Sequence, residues 1–425
     1  MITSVSIIGI GGCGCALSAD LERRGIKTLL YAHPEHARNA RALLRQGHLD
    51  AVGEDEEVAG RFHPAVSTDM GEALRFARVV VLAVPAYAQE DVLAELERHD
   101  VGGHVVVAAS GNFFALVACR RIRPRYLLET SASPYASRIV DVDVEEGSGR
   151  RFYVHVLGVK KSMPIASLPT DIDEDTRADI ATVFPRELHW CSNVIEAAFY
   201  NFNGVLHPVT TIMNAGWIEN TEGDFYFYKE GMTPAVSRMM HEIDLERLSI
   251  AQSYISPSSS SRLPSCLEQM NTYYNLSCTS LHDFARRSSH HSTMKVCPRS
   301  TRHRYITEDL PYVLVPWYEL GVKAGKEKEL PFIRSLILWC GAVNGTDYRA
   351  TGRNIRALGF ADCTREEIVH LVCATTSDTL AAELERYKEE EEGGNGEEGV
   401  DGMMSTSDSS FGAPTFDFAL FGPKL

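Results

Sequence analysis

Two short blocks, far apart in the chain, carry the residues best suited to chemistry. Asn203-Gly204-Val205-Leu206-His207-Pro208 supplies an imidazole, and Arg304-Tyr305-Ile306-Thr307-Glu308-Asp309 supplies a guanidinium and two acids. Histidine serves as a proton donor because its ordinary pKa lies near working pH. A carboxylate on one ring nitrogen fixes the tautomer and steadies the imidazolium, the part expected of Asp309. The planar fork of Arg304 suits a substrate carboxylate. Read with the glycine turn below, these blocks point to hydride chemistry on a carboxylate-bearing substrate. Each residue also has a plainer reading: His207 as one structural histidine among 15, Asp309 as a cap near Pro311, Arg304 as half of a surface ion pair.

Such groups must be held by something, and the chain opens on a recognisable frame. Gly9-Ile10-Gly11-Gly12-Cys13-Gly14 follows the apolar run Val5–Ile8 and precedes a stretch with helical spacing, Cys13 to Arg24. Gly9, Gly11 and Gly14 match G-x-G-x-x-G, with Gly12 inside the turn. There the glycines let backbone approach a pyrophosphate whose charge meets a helix N-terminus. The next strand ends Tyr31-Ala32-His33, without the acid that usually binds the ribose hydroxyls of NAD. His33 and Arg38, with Arg41, are positioned to face a 2′-phosphate instead. The cofactor reading leans to NADP, and Glu35 keeps NAD as the alternative. A solvated helix face is the plainer account of the same residues. Val84-Pro85 and Ser110-Gly111-Asn112 end two further strands at the edge where open α/β sheets bind ligands.

Up to about residue 188 short β-branched runs alternate with amphipathic stretches. Thr28–Tyr31, Val79–Val84 and His104–Ala109 read as strands, and Glu35–Gln46 and Glu72–Ala77 as helices. That alternation predicts an α/β domain of the Rossmann type, a doubly wound parallel sheet. Over 189–385 long helical stretches dominate (Asn193–Leu206, Ala235–Ser253, Thr364–Tyr387), predicting a mainly helical second domain with the serine-rich loop Ser256–Ser261 inside it. Residues 386–425 are acidic and rich in glycine and serine, too poor in apolar side chains to offset ordering entropy, so disorder is expected.

At 425 residues the chain has room for two domains with separate cores. A net charge of -15 disfavours a nucleic-acid-binding face, although the acidic tail carries part of it. No run of about 18 apolar residues suggests a membrane span. A strand starting at Val5 leaves no room for a cleaved leader. The 10 cysteines then read as reduced thiols of a cytoplasmic protein. Cys13-x-Cys15 has no second pair at zinc spacing, so no metal is expected. The ending Pro423-Lys424-Leu425 is similar to a peroxisomal address, with proline where a small residue belongs.

Several blocks together resemble the octopine/nopaline dehydrogenase family of opine dehydrogenases. They are Asn203-x-x-x-His207-Pro208, Met213-Asn214-Ala215-Gly216, Asp224-Phe225-x-Phe227-Tyr228-x-Glu230-Gly231, Arg304-Tyr305-x-x-Glu308-Asp309-x-Pro311 and Leu314-Val315-Pro316-Trp317-x-x-Leu320-Gly321. Glu129-Thr130 and Ser133-Pro134-Tyr135 join them from the first domain. The resemblance spans roughly residues 1–375. It implies an active site between the two domains and reductive condensation of an amino acid's amine with a 2-oxo acid such as pyruvate, using NADH or NADPH. It makes His207 the acid/base, Asp309 its partner and Arg304 a carboxylate holder, with Asn203 and Glu129 as further substrate-binding candidates; a homodimer is an open expectation. Two rivals stand beside it: a 2- or 3-hydroxy acid dehydrogenase that needs no amine, and a non-catalytic NAD(P)-binding scaffold acting through its tail.

Overall fold

In the computed structural model, residues 2–53, 58–143, 150–184, 186–255, 262–295 and 297–393 are described. Among these described residues the strands are β1 (Ser4–Ile8), β2 (Lys27–Tyr31), β3 (Leu49–Gly53), β4 (Gly60–Phe62), β5 (Ala65–Ser67), β6 (Val79–Leu82), β7 (Val105–Ala108), β8 (Tyr126–Thr130), β9 (Tyr135–Asp143), β10 (Arg150–Val159), β11 (Ser162–Leu168) and β12 (Glu187–Trp190). The main sheet runs β12-β11-β8-β7-β6-β1-β2-β5. From β5 to β8 every pairing is parallel, the strand order of a doubly wound dinucleotide fold. The expected doubly wound parallel sheet is present, and one end of it carries an addition. There β11 pairs antiparallel with β8 and carries β12 alongside it.

A second sheet, β4-β3-β10-β9, was not foreseen. Its long members mix charges with apolar residues, but Phe152, Val154 and Val156 alternate inward, the period of a strand with one wet face. This sheet lies against the helix Gly12–Arg23. A Cβ on Gly12 would sit 2.6 Å from the carbonyl oxygen of Ser137 on β9.

Alternation along the main strands divides the interior. Ile8, Val80, Leu82, Val106 and Ala108 face one core, while Ile7, Val79, Val81, Val105 and Val107 face the other. The first of these cores continues without a break into Phe199, Val205, Trp317 and Leu320 of the helical region. The expected pair of separate cores is therefore a single shared core plus one under the far face of the sheet.

Expected helices are corrected in three places. The stretch 193–206 is two helices, Val194–Phe199 and Asn203–Met213. Thr364–Tyr387 is likewise two, Arg365–Val372 and Ser377–Gly393. The second runs several residues into the segment expected to be disordered; the rest of that segment, with Pro423-Lys424-Leu425, and the serine-rich loop fall outside the described residues. Third, Pro208 disfavours helical geometry in the residue before it and so predicts a helix end at His207, but it lies inside the helix Asn203–Met213. An internal proline costs about 3 kcal/mol, and dense packing offsets it here. Val205, Leu206 and Val209 are buried, and Gly204 lets the Trp317 ring come within 3.0 Å of where a Cβ would stand. All ten cysteines are free, and among the described residues no helix is long and apolar enough to cross a membrane.

Candidate active site

Asn203 and His207 lie one turn apart on the helix Asn203–Met213 and so share a face. Asp309 precedes a single wide turn of π-helix, Leu310–Leu314, a local widening often found at functional sites. The two elements meet. His207 Nδ1 lies 2.7 Å from Asp309 Oδ2, with side-chain exposures of 12% and 10%. A carboxylate at Nδ1 accepts the ring N–H, which leaves Nε2 as the working nitrogen. Nε2 lies 3.0 Å from the hydroxyl of Tyr228. The Tyr305 ring stacks on the imidazole at 4.0 Å between centroids and 19° between planes. Burial holds the Tyr228 phenol well above its ordinary pKa, reinforced by Tyr305, so it stays a neutral hydroxyl beside the histidine.

Tyr228 and Tyr305 are the site residues that sequence reasoning missed. Both stand inside blocks already singled out, but nothing in their spacing shows that the turn 222–232 folds back over the helix Asn203–Met213.

Glu308 ties this cluster to the sheet. Its Oε1 accepts the backbone N–H of Ala86 at 3.2 Å, just past Val84-Pro85 at the end of β6. Its Oε2 pairs with Arg304 at 2.8 Å. Arg304 is thus an ion-pair partner in this structure, yet its side chain is 66% exposed, leaving donors of its five-fold fork for a second carboxylate. Glu129 requires a correction. It is 0% exposed and its Oε2 accepts the Ala115 N–H at 3.0 Å. Burial pushes its pKa up to about 7. It supports the turn after β7 from beneath instead of lining a cleft.

The glycine turn is built to receive a dinucleotide. Gly9 holds φ +118°, and a Cβ there would stand 2.6 Å from the Ala83 carbonyl and 2.8 Å from Val84 Cγ1. A Cβ on Gly14 would collide with the Gly9 carbonyl, so the helix packs directly on the strand that feeds it. Gly11 caps the helix Gly12–Arg23 with no side-chain hydrogen bond, and a Cβ on it would meet nothing within 4 Å. Open space at the N-terminus of a helix, whose first-turn N–H groups have no partner within the helix, is what a pyrophosphate fits. Past β2, His33 Nδ1 accepts the Glu35 N–H at 3.3 Å, and exposed Arg38 pairs with Asp141 at 3.3 Å. Of the sequence-chosen residues, the structure brings together His207, Asp309 and Asn203 in one group and the glycines with Val84 and Pro85 in another. His33 and Arg38 sit at the end of β2 that flanks the glycine turn.

Comparison with known proteins agrees with this arrangement. Residues 190–344 match the family described as NAD/NADP octopine/nopaline dehydrogenase, alpha-helical domain. Residues 4–111 match the one described as NADP oxidoreductase, coenzyme F420-dependent. The chain is 28% identical over 377 residues to the vitopine synthase of Allorhizobium ampelinum, covering 87% of this chain and 98% of the relative. A solved octopine dehydrogenase holding NADH and L-arginine superposes with a TM-score of 0.67 at 18% identity, over 87% of this chain and 98% of that one. A yersinopine dehydrogenase with NADP+ bound gives 0.57 at 16% identity, over 91% and 99%. A Rossmann-type domain and a helical domain bearing the histidine–aspartate pair stand together with these matches: residues 190–344 carry the octopine/nopaline dehydrogenase alpha-helical domain, and over most of its length the chain is similar to opine dehydrogenases.

Proposed function

We propose that this protein condenses the amine of an amino acid with a 2-oxo acid such as pyruvate and reduces the resulting imine, with His207 and Asp309 as its acid/base pair. The observation that carries the reading is the 2.7 Å contact between those side chains, brought together from different segments next to Glu308 and the β6 edge. Attack of the amine on the oxo carbon gives a carbinolamine, whose hydroxyl must gain a proton to leave as water. His207 is the group to deliver it, because Asp309 stabilises the imidazolium before transfer. The Tyr228 hydroxyl at Nε2 extends that hydrogen-bonded line by one group. When bound at the glycine turn, reduced NAD(P) supplies the hydride that converts the imine to a secondary amine. Arg304 and Asn203 are the residues proposed to hold substrate carboxylates. Much of the acceleration then comes from fixing amine and oxo acid in one orientation.

For the cofactor, the lack of an acid at Tyr31-Ala32-His33 and the presence of His33 and Arg38 support NADP over NAD. The substrate for the amine arm is found by experiment. A panel of amino acids with pyruvate is assayed for oxidation of NADPH and of NADH, and products are identified by mass spectrometry. A secondary amine dicarboxylate, formed only when both substrates are present, is the expected product. Cofactor oxidation by an oxo acid at the same rate without any amine would replace this reading with a hydroxy acid dehydrogenase.

A further inference from the structure

Ser110–Phe113 closes the carboxyl end of β7, beside Val84–Ala86 and at the edge where this sheet type holds its ligand. Three of its residues keep left-handed backbone although none of the three is glycine: φ is +64° at Ser110, +52° at Asn112 and +67° at Phe113. Such conformations are unfavourable for side chains with a Cβ and persist only when their surroundings enforce them.

The restraints come from both domains. Within the first, Thr130 Oγ1 accepts the Ser110 N–H at 3.0 Å, and the Thr130 carbonyl accepts the Gly111 N–H at 3.0 Å. From the helical domain, Asn201 Nδ2 donates to Asn112 Oδ1 at 2.7 Å. Arg353 completes the set. Its Nη1 donates to the carbonyls of Gly111, at 3.3 Å, and of Asn112, and its Nη2 donates to Gln89 Oε1 at 3.0 Å. The residue is 7% exposed, and its guanidinium lies 5.2 Å from the Tyr312 ring centroid. Its own backbone N–H donates to the Pro311 carbonyl at 2.8 Å. Pro311 and Tyr312 belong to the same π-turn that Asp309 leads into. One side chain therefore links the segment carrying the aspartate to the strained turn at the sheet edge.

We propose that Arg353 is a positioning residue. It sets the turn 110–113, and with it the cofactor-facing edge of the sheet, at a fixed distance from His207 and Asp309. This rests on the reductive condensation proposed above. Arg353 lies beyond the segment matched by the family's helical domain, which ends at residue 344. A lysine in its place keeps the charge but offers a single point of donation, so it cannot span two carbonyls and a glutamine at once. A displacement of about 1 Å between reacting groups costs on the order of a hundredfold in rate.

The test uses full-length Arg353→Lys and Arg353→Ala chains. Turnover in both is expected to fall by about ten- to a hundredfold. The dissociation constant for the reduced cofactor, read from its fluorescence, should stay within about threefold because the Gly9–Gly14 turn is untouched. Arg353 lines a cavity of about 530 Å³ shared with Tyr87, Arg120 and Tyr312, so added methylguanidinium should restore part of the lost turnover in Arg353→Ala. Adding Ser110→Gly, which removes one of the enforced conformations, should restore part of it in Arg353→Lys. Hydrogen exchange of the 110–115 amides should quicken in both single variants. Turnover within threefold of the parent in folded variants overturns the proposal, and so does unchanged exchange at 110–115. If the parent itself shows no amine-dependent turnover, the proposed reaction fails, and the exchange measurement still decides whether Arg353 holds the turn.

Discussion

The sharpest single perturbation is Asp309→Asn. The amide keeps the size and shape of the carboxylate, and its oxygen can still accept the His207 Nδ1–H, so the packing around the π-turn should survive. What it removes is the negative charge 2.7 Å from the imidazole, in a pair of which only about a tenth of either side chain meets solvent. Hydrogen bonds to a charged partner contribute about 1.5–3 kcal/mol, and every 1.36 kcal/mol is tenfold in rate. If that stabilisation is realised as the imidazolium forms, turnover falls by roughly ten- to a hundredfold. The assay is steady-state oxidation of the reduced cofactor at saturating amino acid and pyruvate, with thermal melting and cofactor fluorescence as controls for folding and binding. The double variant Asp309→Asn with His207→Ala should be little worse than His207→Ala alone, because groups acting as a unit are strongly non-additive. Turnover within threefold of the parent in well-folded Asp309→Asn would refute the reasoning, and fully additive losses would show that the two residues work separately.

Three further outcomes follow from the same structure. Tyr228→Phe keeps the ring contacts and deletes the hydroxyl 3.0 Å from His207 Nε2; the loss of about 1–1.5 kcal/mol predicts a five- to tenfold drop in turnover with an unchanged melting temperature. Glu129 has its pKa raised by burial from 4.5 to about 7. The stability it contributes is therefore full below about pH 4.5 and is lost as pH rises through about 7, so Glu129→Gln should melt like the parent near pH 5 and higher than it at pH 8, by up to about 3 kcal/mol. His291, packed against Tyr228, Tyr274 and Phe284, is held down to about 3 by burial and by the charges of His290 and His207. Its contribution is present above about pH 6.5 and fades as pH falls toward 3, so His291→Leu should flatten the acid side of the stability curve measured by urea unfolding, by about 2 kcal/mol at pH 5.

Local signals were the legible ones. The glycine turn reads directly because strand, turn and helix are contiguous, and steric demands at Gly9 and Gly14 leave no other residue type. The runs at β6 and β7 read because strands buried on both faces are uniformly apolar. His207 and Asp309 were identifiable by type and by family resemblance, though not by any visible sign of their contact. What stayed hidden depends on pairing across long stretches of chain. β10 pairs with β3 in parallel, a partnership that no turn signal announces. The salt bridge of Arg304 to Glu308, one turn along, was by contrast already consistent with the spacing. Pro208 was read as a helix end by its local rule, which tertiary packing overrode. Arg353 sits in a stretch with no motif, and only the folded chain shows which carbonyls it reaches.

The unbroken apolar interior running from Ile8 and Val80 to Trp317 and Leu320 bears on how this enzyme can be divided. A cut near residue 188 would not yield two self-sufficient halves, since each fragment would present to water the surface that the other covers. The lobes should therefore melt in a single transition, and exchanging the helical half between relatives to change substrate would succeed only where the matching sheet face travels with it.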